Sequence, residues 1–274
     1  MGFAKDFGKK KYQRAQKAKD TRAKRLPRGK IQRMKALEKI IKDRRALVFL
    51  DLEGTQLSHE MIEIGAYTAT LNDDLSIKKV LPPFQSYVKA HHPIGGIVVK
   101  MTGITQRTLE EKGEPFPYVL QQFKKYVGKY WGKSMFVTFG NHDLRIVNQS
   151  VLNNFDADPE IAHIINKYDF DFSLFLQQYI QDPNSNPLSL TNYLKVFAIP
   201  FEGQAHDACV DAYNLMDLYK AFLAKPEVVA REYKKTLSHV HHMASPVNKV
   251  INELNEGKTV TPAAWDKAIE DSLK

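Results

Sequence analysis

The chain has 274 residues, 43% of them hydrophobic and 26% charged, an ordinary globular composition that excludes wholesale disorder and allows one sizeable core with extensions. Its one cysteine, Cys209, cannot close an internal disulfide, and no apolar run approaches the roughly 18 residues of a membrane span, so a cytoplasmic protein with no membrane partner is expected. The net charge of +9 is concentrated at the start, where residues 1–45 hold 18 Lys or Arg against four Asp or Glu, which leaves the remainder net acidic.

Residues 1–29 interleave Lys and Arg with Ala, Gln and Gly and offer almost nothing to bury, so they read as a basic flexible tail without the apolar stretch of a secretory signal. Over residues 30–45, Ile31, Met34, Leu37 and Ile41 recur every three or four positions, the stripe of an amphipathic helix leaning on the next domain. Strands are predicted from Ala46 to Leu50, from Met61 to Leu71 and around Phe84 to Val88, close enough in sequence for an antiparallel meander with a turn at Asp73 and Asp74. The period then changes. One helix is predicted from Leu109 to Tyr130, with Phe116, Val119, Leu120, Phe123 and Val127 on one side. A strand follows from Ser134 to Phe139, a helix from Asp143 to Leu152, a short strand from Tyr168 to Phe172, and helices from Leu188 to Phe197 and Asp207 to Leu223.

Three strands followed by alternating helix and strand describe an α/β mixed sheet with helices on its faces. Beyond Leu223, Pro226, Pro246 and Pro262, two of them behind Ser245 and Thr261, predict about three further helices. The chain therefore divides into the basic tail 1–29, an amphipathic helix 30–45, a main domain 46–224 and a helical C-terminal appendix 225–274. His239, His241 and His242 lack a fourth spaced ligand and read as a solvated helix end.

Three short segments carry chemistry. Asp51 and Glu53 end an apolar strand, and residues two apart on a strand share a face, so two carboxylates stand side by side. Such a pair repels unless it is protonated or binds a cation. Asp143, in the run Phe139-Gly140-Asn141-His142-Asp143, opens the helix after the fourth strand. In Ala205-His206-Asp207-Ala208-Cys209-Val210-Asp211-Ala212 the two aspartates lie four apart on one helical face; we assign Asp207 to the helix cap and Asp211 to metal. The small residues at 205, 208 and 212 permit close packing on the sheet.

The set Asp51-x-Glu53, Asp143 and His206-x-Ala208-x-x-Asp211 resembles the three motifs of the DEDDh 3′-5′ exonuclease superfamily, over about residues 46–224. The runs Ile62-Glu63-Ile64-Gly65-Ala66 and Thr102-Gly103-Ile104-Thr105 resemble further family features. Two departures stand out. Gly54 occupies the place of the usual Thr or Ala, and Gly-Asn-His-Asp is shorter than the common second motif, a form similar to the RNA-trimming branch that includes the histone-mRNA exonuclease.

The resemblance implies an RNase H-like fold, a mixed five-stranded sheet with three antiparallel and then two parallel strands and helices on both faces. It also implies a metal-dependent 3′-to-5′ exonuclease that releases 5′-nucleoside monophosphates. Asp51, Glu53, Asp143 and Asp211 would hold two divalent cations, Mg²⁺ or Mn²⁺, as oxygen-only ligands suit. His206 would be the general base, since an imidazole titrates near 6.5. Gly54, Thr55 and Leu57 match positions that contact the terminal nucleotide. Nucleic acid is the expected partner, RNA ahead of DNA, with the basic tail gripping phosphates. The alternatives are a DNA 3′-exonuclease of repair or proofreading and a catalytically silent nucleic-acid-binding module.

Overall fold

The computed structural model describes residues 35–238 and 243–273. The basic tail, the start of the amphipathic helix with Ile31 and Met34, and the histidines at 239, 241 and 242 lie outside the described residues. Of that helix, α1 (Lys35–Ile41) is described, and Leu37 and Ile41 are fully buried, as their spacing predicts.

The sheet is built on β1 (Ala46–Gly54), which pairs antiparallel with β2 (Met61–Leu71). The chain then runs twice along the far edge of β2, first as β3 (Ile77–Val80) and again as β4 (Phe84–Lys89). Only β4 was expected; Pro82 and Pro83, which carry no N–H for a ladder, divide this edge into two pieces. Two short helices follow, α2 (Gly96–Thr102) and α3 (Gln106–Lys112), then a two-residue strand β5 (Glu114–Pro115) and α4 (Phe116–Val127). The single helix expected from Leu109 to Tyr130 is thus two helices. Gly113 and Pro115 interrupt it, and Leu109 packs in a small separate core with Ile62, Ile94 and Ile104.

Beyond α4 come β6 (Ser134–Thr138), α5 (His142–Asn153), α6 (Pro159–Lys167), β7 (Asp169–Asp171), α7 (Phe172–Gln177), α8 (Leu190–Val196) and α9 (Ala208–Ala224). Strands β6 and β7 add parallel to β1, so the sheet runs β5-β4-β2-β1-β6-β7 with β3 also on β2. The five expected strands are present in the expected directions, and β3 and β5 bring the sheet to seven. The appendix is three helices, α10 (Pro226–Ser238), α11 (Ser245–Asn255) and α12 (Pro262–Ser272). Thr261 caps α12 through its side chain, whereas Ala244, not Ser245, stands at the cap of α11. Among the described residues no helix is long and apolar enough to cross a membrane.

Alternation along β1 separates two cores. Leu47 and Phe49 face a core completed by Tyr193 of α8, Phe172 and Phe175 of α7, and Leu215, Leu218 and Phe222 of α9. Val48, Leu50 and Leu52 face the other, completed by Phe116, Leu120 and Phe123 of α4, Ile146 of α5 and Ile161 of α6. Each apolar strand is therefore sandwiched between helices, which accounts for its continuous rather than alternating hydrophobicity. At the C-terminal ends of β1 and β6 this packing stops and polar side chains begin.

Candidate active site

Because Leu47 and Phe49 point toward α9, Asp51 and Glu53, continuing the same alternation, leave the end of β1 on the α9 side. The pairing with β2 then breaks in a bulge between Glu53 and Gly54. Gly54 is buried, and a Cβ there would stand 2.9 Å from Ile146 Cδ1 and 3.3 Å from the Glu60 carbonyl oxygen. That crowding explains glycine where a larger residue is common.

Two contacts seat α9 on the sheet. A Cβ on Gly65 would lie 2.1 Å from the carbonyl carbon of Ala208, so only glycine lets the first turn of the helix rest directly on β2. Beside it, Glu63, 1% exposed and paired in register with Glu53, accepts the Ala208 N–H at 3.2 Å and the Gln85 side-chain amide at 2.8 Å. A carboxylate at the amino end of a helix also suits its dipole. Glu63 was legible only as part of a family-like run; its seating role needs the strand register. Asp207 caps α9, accepting the Val210 N–H at 3.0 Å, so Asp211 lies in the first turn. Asp211 in turn accepts the backbone N–H of His206 at 2.9 Å, and His206 holds a left-handed backbone, φ 65°. The imidazole Nδ1 stands 3.7 Å from Glu53 Oε1.

Asp143 enters from the opposite side. It lies in the first turn of α5, 4% exposed, and accepts the backbone N–H of Leu52 at 2.8 Å, which ties it to the strand at the residue that separates Asp51 from Glu53. The turn before α5 is tied down in its own right, since Asp171 of β7 accepts the Gly140 N–H at 3.1 Å while capping α7.

The five predicted residues Asp51, Glu53, Asp143, His206 and Asp211 thus line one cleft of about 520 Å³. Gly54 and Thr55 line it as well, although Thr55 is buried and occupied by the Glu60 N–H and the Ser58 hydroxyl. Leu57 lies outside the lining, 87% exposed at the tip of the β1–β2 loop. Gln56, His59, His142, Ser189, Thr191 and Phe201 also face the cleft, and none of them is among the site residues expected from the sequence.

The electrostatics are those of crowded acids. Burial, then the neighbouring Asp211 and Glu63, push the Glu53 carboxyl up to about 8. Burial lifts Asp143 to about 8 against the opposing hydrogen bond from Leu52. Asp51 is raised by burial and by Asp143, Asp211 and Glu53, and Asp211 is raised by burial. Each holds its proton more firmly because its neighbours are negative and water is scarce. Ligand atoms of Glu53, His206 and Asp211 lie within 4.8 Å of one another, the spacing a shared cation requires. The carboxylate oxygens of the cleft, costly to ionise alone, fit hard divalent cations.

The comparisons with known proteins agree with this geometry. The exonuclease family model RNase_T matches residues 48–219. The chain belongs to the RNase T exonuclease family, within the DEDDh 3′-5′ exonuclease superfamily. No curated protein matches it by sequence. Among solved structures, this exonuclease resembles a full-length 3′-exonuclease at 18% identity and TM-score 0.51, covering 66% of this chain and 60% of that one. The nuclease domain of 3′hExo, a DEDDh family member bound to rAMP, is similar at 21% identity and TM-score 0.51, covering 66% of this chain and 93% of that one. E. coli exonuclease I in complex with a dA16 oligonucleotide is similar at 18% identity and TM-score 0.52, covering 71% of this chain and 44% of that one. The RNase H-like mixed sheet with its flanking helices is common ground for these likenesses.

Proposed function

We propose that this exonuclease removes nucleotides one at a time from the 3′ end of a nucleic acid, RNA ahead of DNA, and releases 5′-nucleoside monophosphates. The observation that supports this best is the convergence of Asp51, Glu53, Asp143 and Asp211 on one cleft with His206 beside Glu53. These carboxylates would hold two divalent cations, Mg²⁺ or Mn²⁺, whose chemistry when bound is to acidify the attacking water and stabilise the leaving 3′ oxygen.

The side chains supply the rest. His206, 45% exposed, is open to solvent and takes the proton of the attacking water on its imidazole. Asp211 has two duties, because the residue that would hold a cation also anchors the backbone of the base. Leu52 fixes Asp143 without a side chain, through a backbone donor that does not change with protonation. Gly54 and Thr55 would form the floor under the terminal nucleotide, while Leu57, outside the lining at the loop tip, would touch it only if that loop moved inward.

The preference for RNA is supported by the Gly140-Asn141-His142-Asp143 form of the second motif, similar to the RNA-trimming branch. The basic residues 1–29 would add a sequence-independent grip on phosphates, and their deletion should raise KM and flatten its dependence on salt.

The test uses labelled RNA and DNA oligonucleotides with free or blocked 3′ ends, with Mg²⁺ and with chelator. Stepwise shortening of free-ended RNA that stops on chelation is expected. Faster cutting of DNA would overturn the RNA preference, and binding without shortening under every condition would overturn the enzymatic reading.

A further inference from the structure

A cleft meant for a polyanion is lined here by four carboxylates and by no Lys or Arg among the described residues. The cations proposed above would answer the scissile phosphate, but nothing in that set answers the next one along the strand. What the lining does contain, besides His206, is a pair of imidazoles. His59 sits at the end of the β1–β2 loop and His142 at the first position of α5, edge to face with ring centroids 5.6 Å apart. Among the described residues neither ring makes a hydrogen bond, so at least one N–H on each is available whichever tautomer is present. Both line the cleft.

Their backbones bear on this too. His59 holds φ 49°, a left-handed conformation that most side chains avoid, and His206 is the other cleft histidine that does so. A core packing role would not need an imidazole in that conformation, half-buried against another imidazole. His142 immediately precedes Asp143, which places the pair one residue from the carboxylates and on the wall formed by the β1–β2 loop and α5. The lining also offers Val98 and Met101 of α2, apolar side chains suited to a base rather than to a phosphate.

We propose that His59 and His142 together bind the phosphodiester adjacent to the scissile one, on its 5′ side, as a paired N–H donor subsite. This rests on the exonuclease reading for the position of the scissile bond. It explains how a cleft with no Lys or Arg in its lining would hold more than the last nucleotide, and it separates the contacts that position a strand from those that would cut it.

The experiment measures Kd by fluorescence anisotropy, with Mg²⁺, for 5′-labelled oligonucleotides blocked at the 3′ end and carrying one uncharged methylphosphonate at the first, second or third linkage. In the wild type, neutralising the second linkage should weaken binding about tenfold. In the His59→Ala/His142→Ala variant the unmodified strand should already bind about tenfold more weakly, and the same methylphosphonate should add less than twofold. His59→Asn, which tolerates the left-handed backbone and keeps a side-chain N–H donor, should retain most of the wild-type penalty and guards against a folding defect. A full penalty surviving in the double variant, or coupling at the first or third linkage instead, would overturn the proposal. Unblocked strands in parallel report cleavage, so a failure of the exonuclease reading would be seen there and not in these affinities.

Discussion

Glu53 and Glu60 are seven residues apart, both carboxylates, both shielded from water, and they have opposite fates. At Glu60, 2% exposed, burial would raise the carboxyl, yet the His91 N–H at 2.7 Å and the His92 imidazole more than offset it and hold the group below the usual range. At Glu53 burial acts in the same direction, but the neighbours are Asp211, Glu63 and Asp143, and the carboxyl rises to about 8. One acid has been given its partners by the fold. The other is crowded by acids, with the His206 imidazole 3.7 Å away and beyond hydrogen-bond reach, so its partner has to come from outside, and that asymmetry marks the cleft as a site and the Glu60 cluster as structure.

The comparison breaks first at Asp211. Asp211→Asn keeps the side chain's size and its acceptor for the His206 N–H but removes a charge from the cation set. We expect turnover to fall about a thousandfold with the thermal midpoint maintained or raised, because several kcal/mol of charge stabilisation is at stake. Wild-type turnover in that variant would dissolve the distinction between the two glutamates' surroundings. Next is Gly65→Ala, where the added Cβ meets backbone 2.1 Å away and must lift the first turn of α9. Displacing Asp211 and His206 by about an ångström should lower kcat about a hundredfold, more than it raises KM.

The third test follows the protons. Glu53 and Asp143 titrate near 8 when folded against ordinary values of 4.5 and 3.8, so between those limits the folded, metal-free protein binds more protons than the unfolded chain. Its stability should therefore fall as pH rises from about 4 to about 8, and the gain in thermal midpoint on adding Mg²⁺ should grow over the same range. A gain that shrinks with pH would contradict the sign. The smallest effect belongs to the contrasting cluster: Glu60→Ala should cost about 1–3 kcal/mol in denaturant unfolding by stranding the His91 N–H, with little change in cation affinity.

Much of this was legible in the sequence, for a physical reason. Acids at the end of an apolar strand, or in the first turn of a helix facing it, interrupt hydrophobic periodicity, which makes Asp51, Glu53, Asp143 and Asp211 candidates, and it is their resemblance to three ordered exonuclease motifs that singles them out as a set. Strand alternation then correctly predicts that the first two share a face. What stayed hidden depends on contacts across long separations. Glu63 reads as one polar residue within a strand until the register sets it under Ala208. The Val-rich segment that forms α2 carries a strand-like composition, and its helix is too short to show a period. His59 and His142 are 83 positions apart, and neither is informative without the other.

The most direct measurement is calorimetric titration of chelator-treated protein with Mn²⁺ near neutral pH, in two buffers of different ionisation enthalpy. The crowded, protonated carboxyls predict two ions per chain, with protons released as they bind, and loss of tight binding in Asp51→Asn and Asp143→Asn. Binding without proton release, or tight binding that survives both substitutions, would contradict the claim that these four carboxylates are held together for divalent cations.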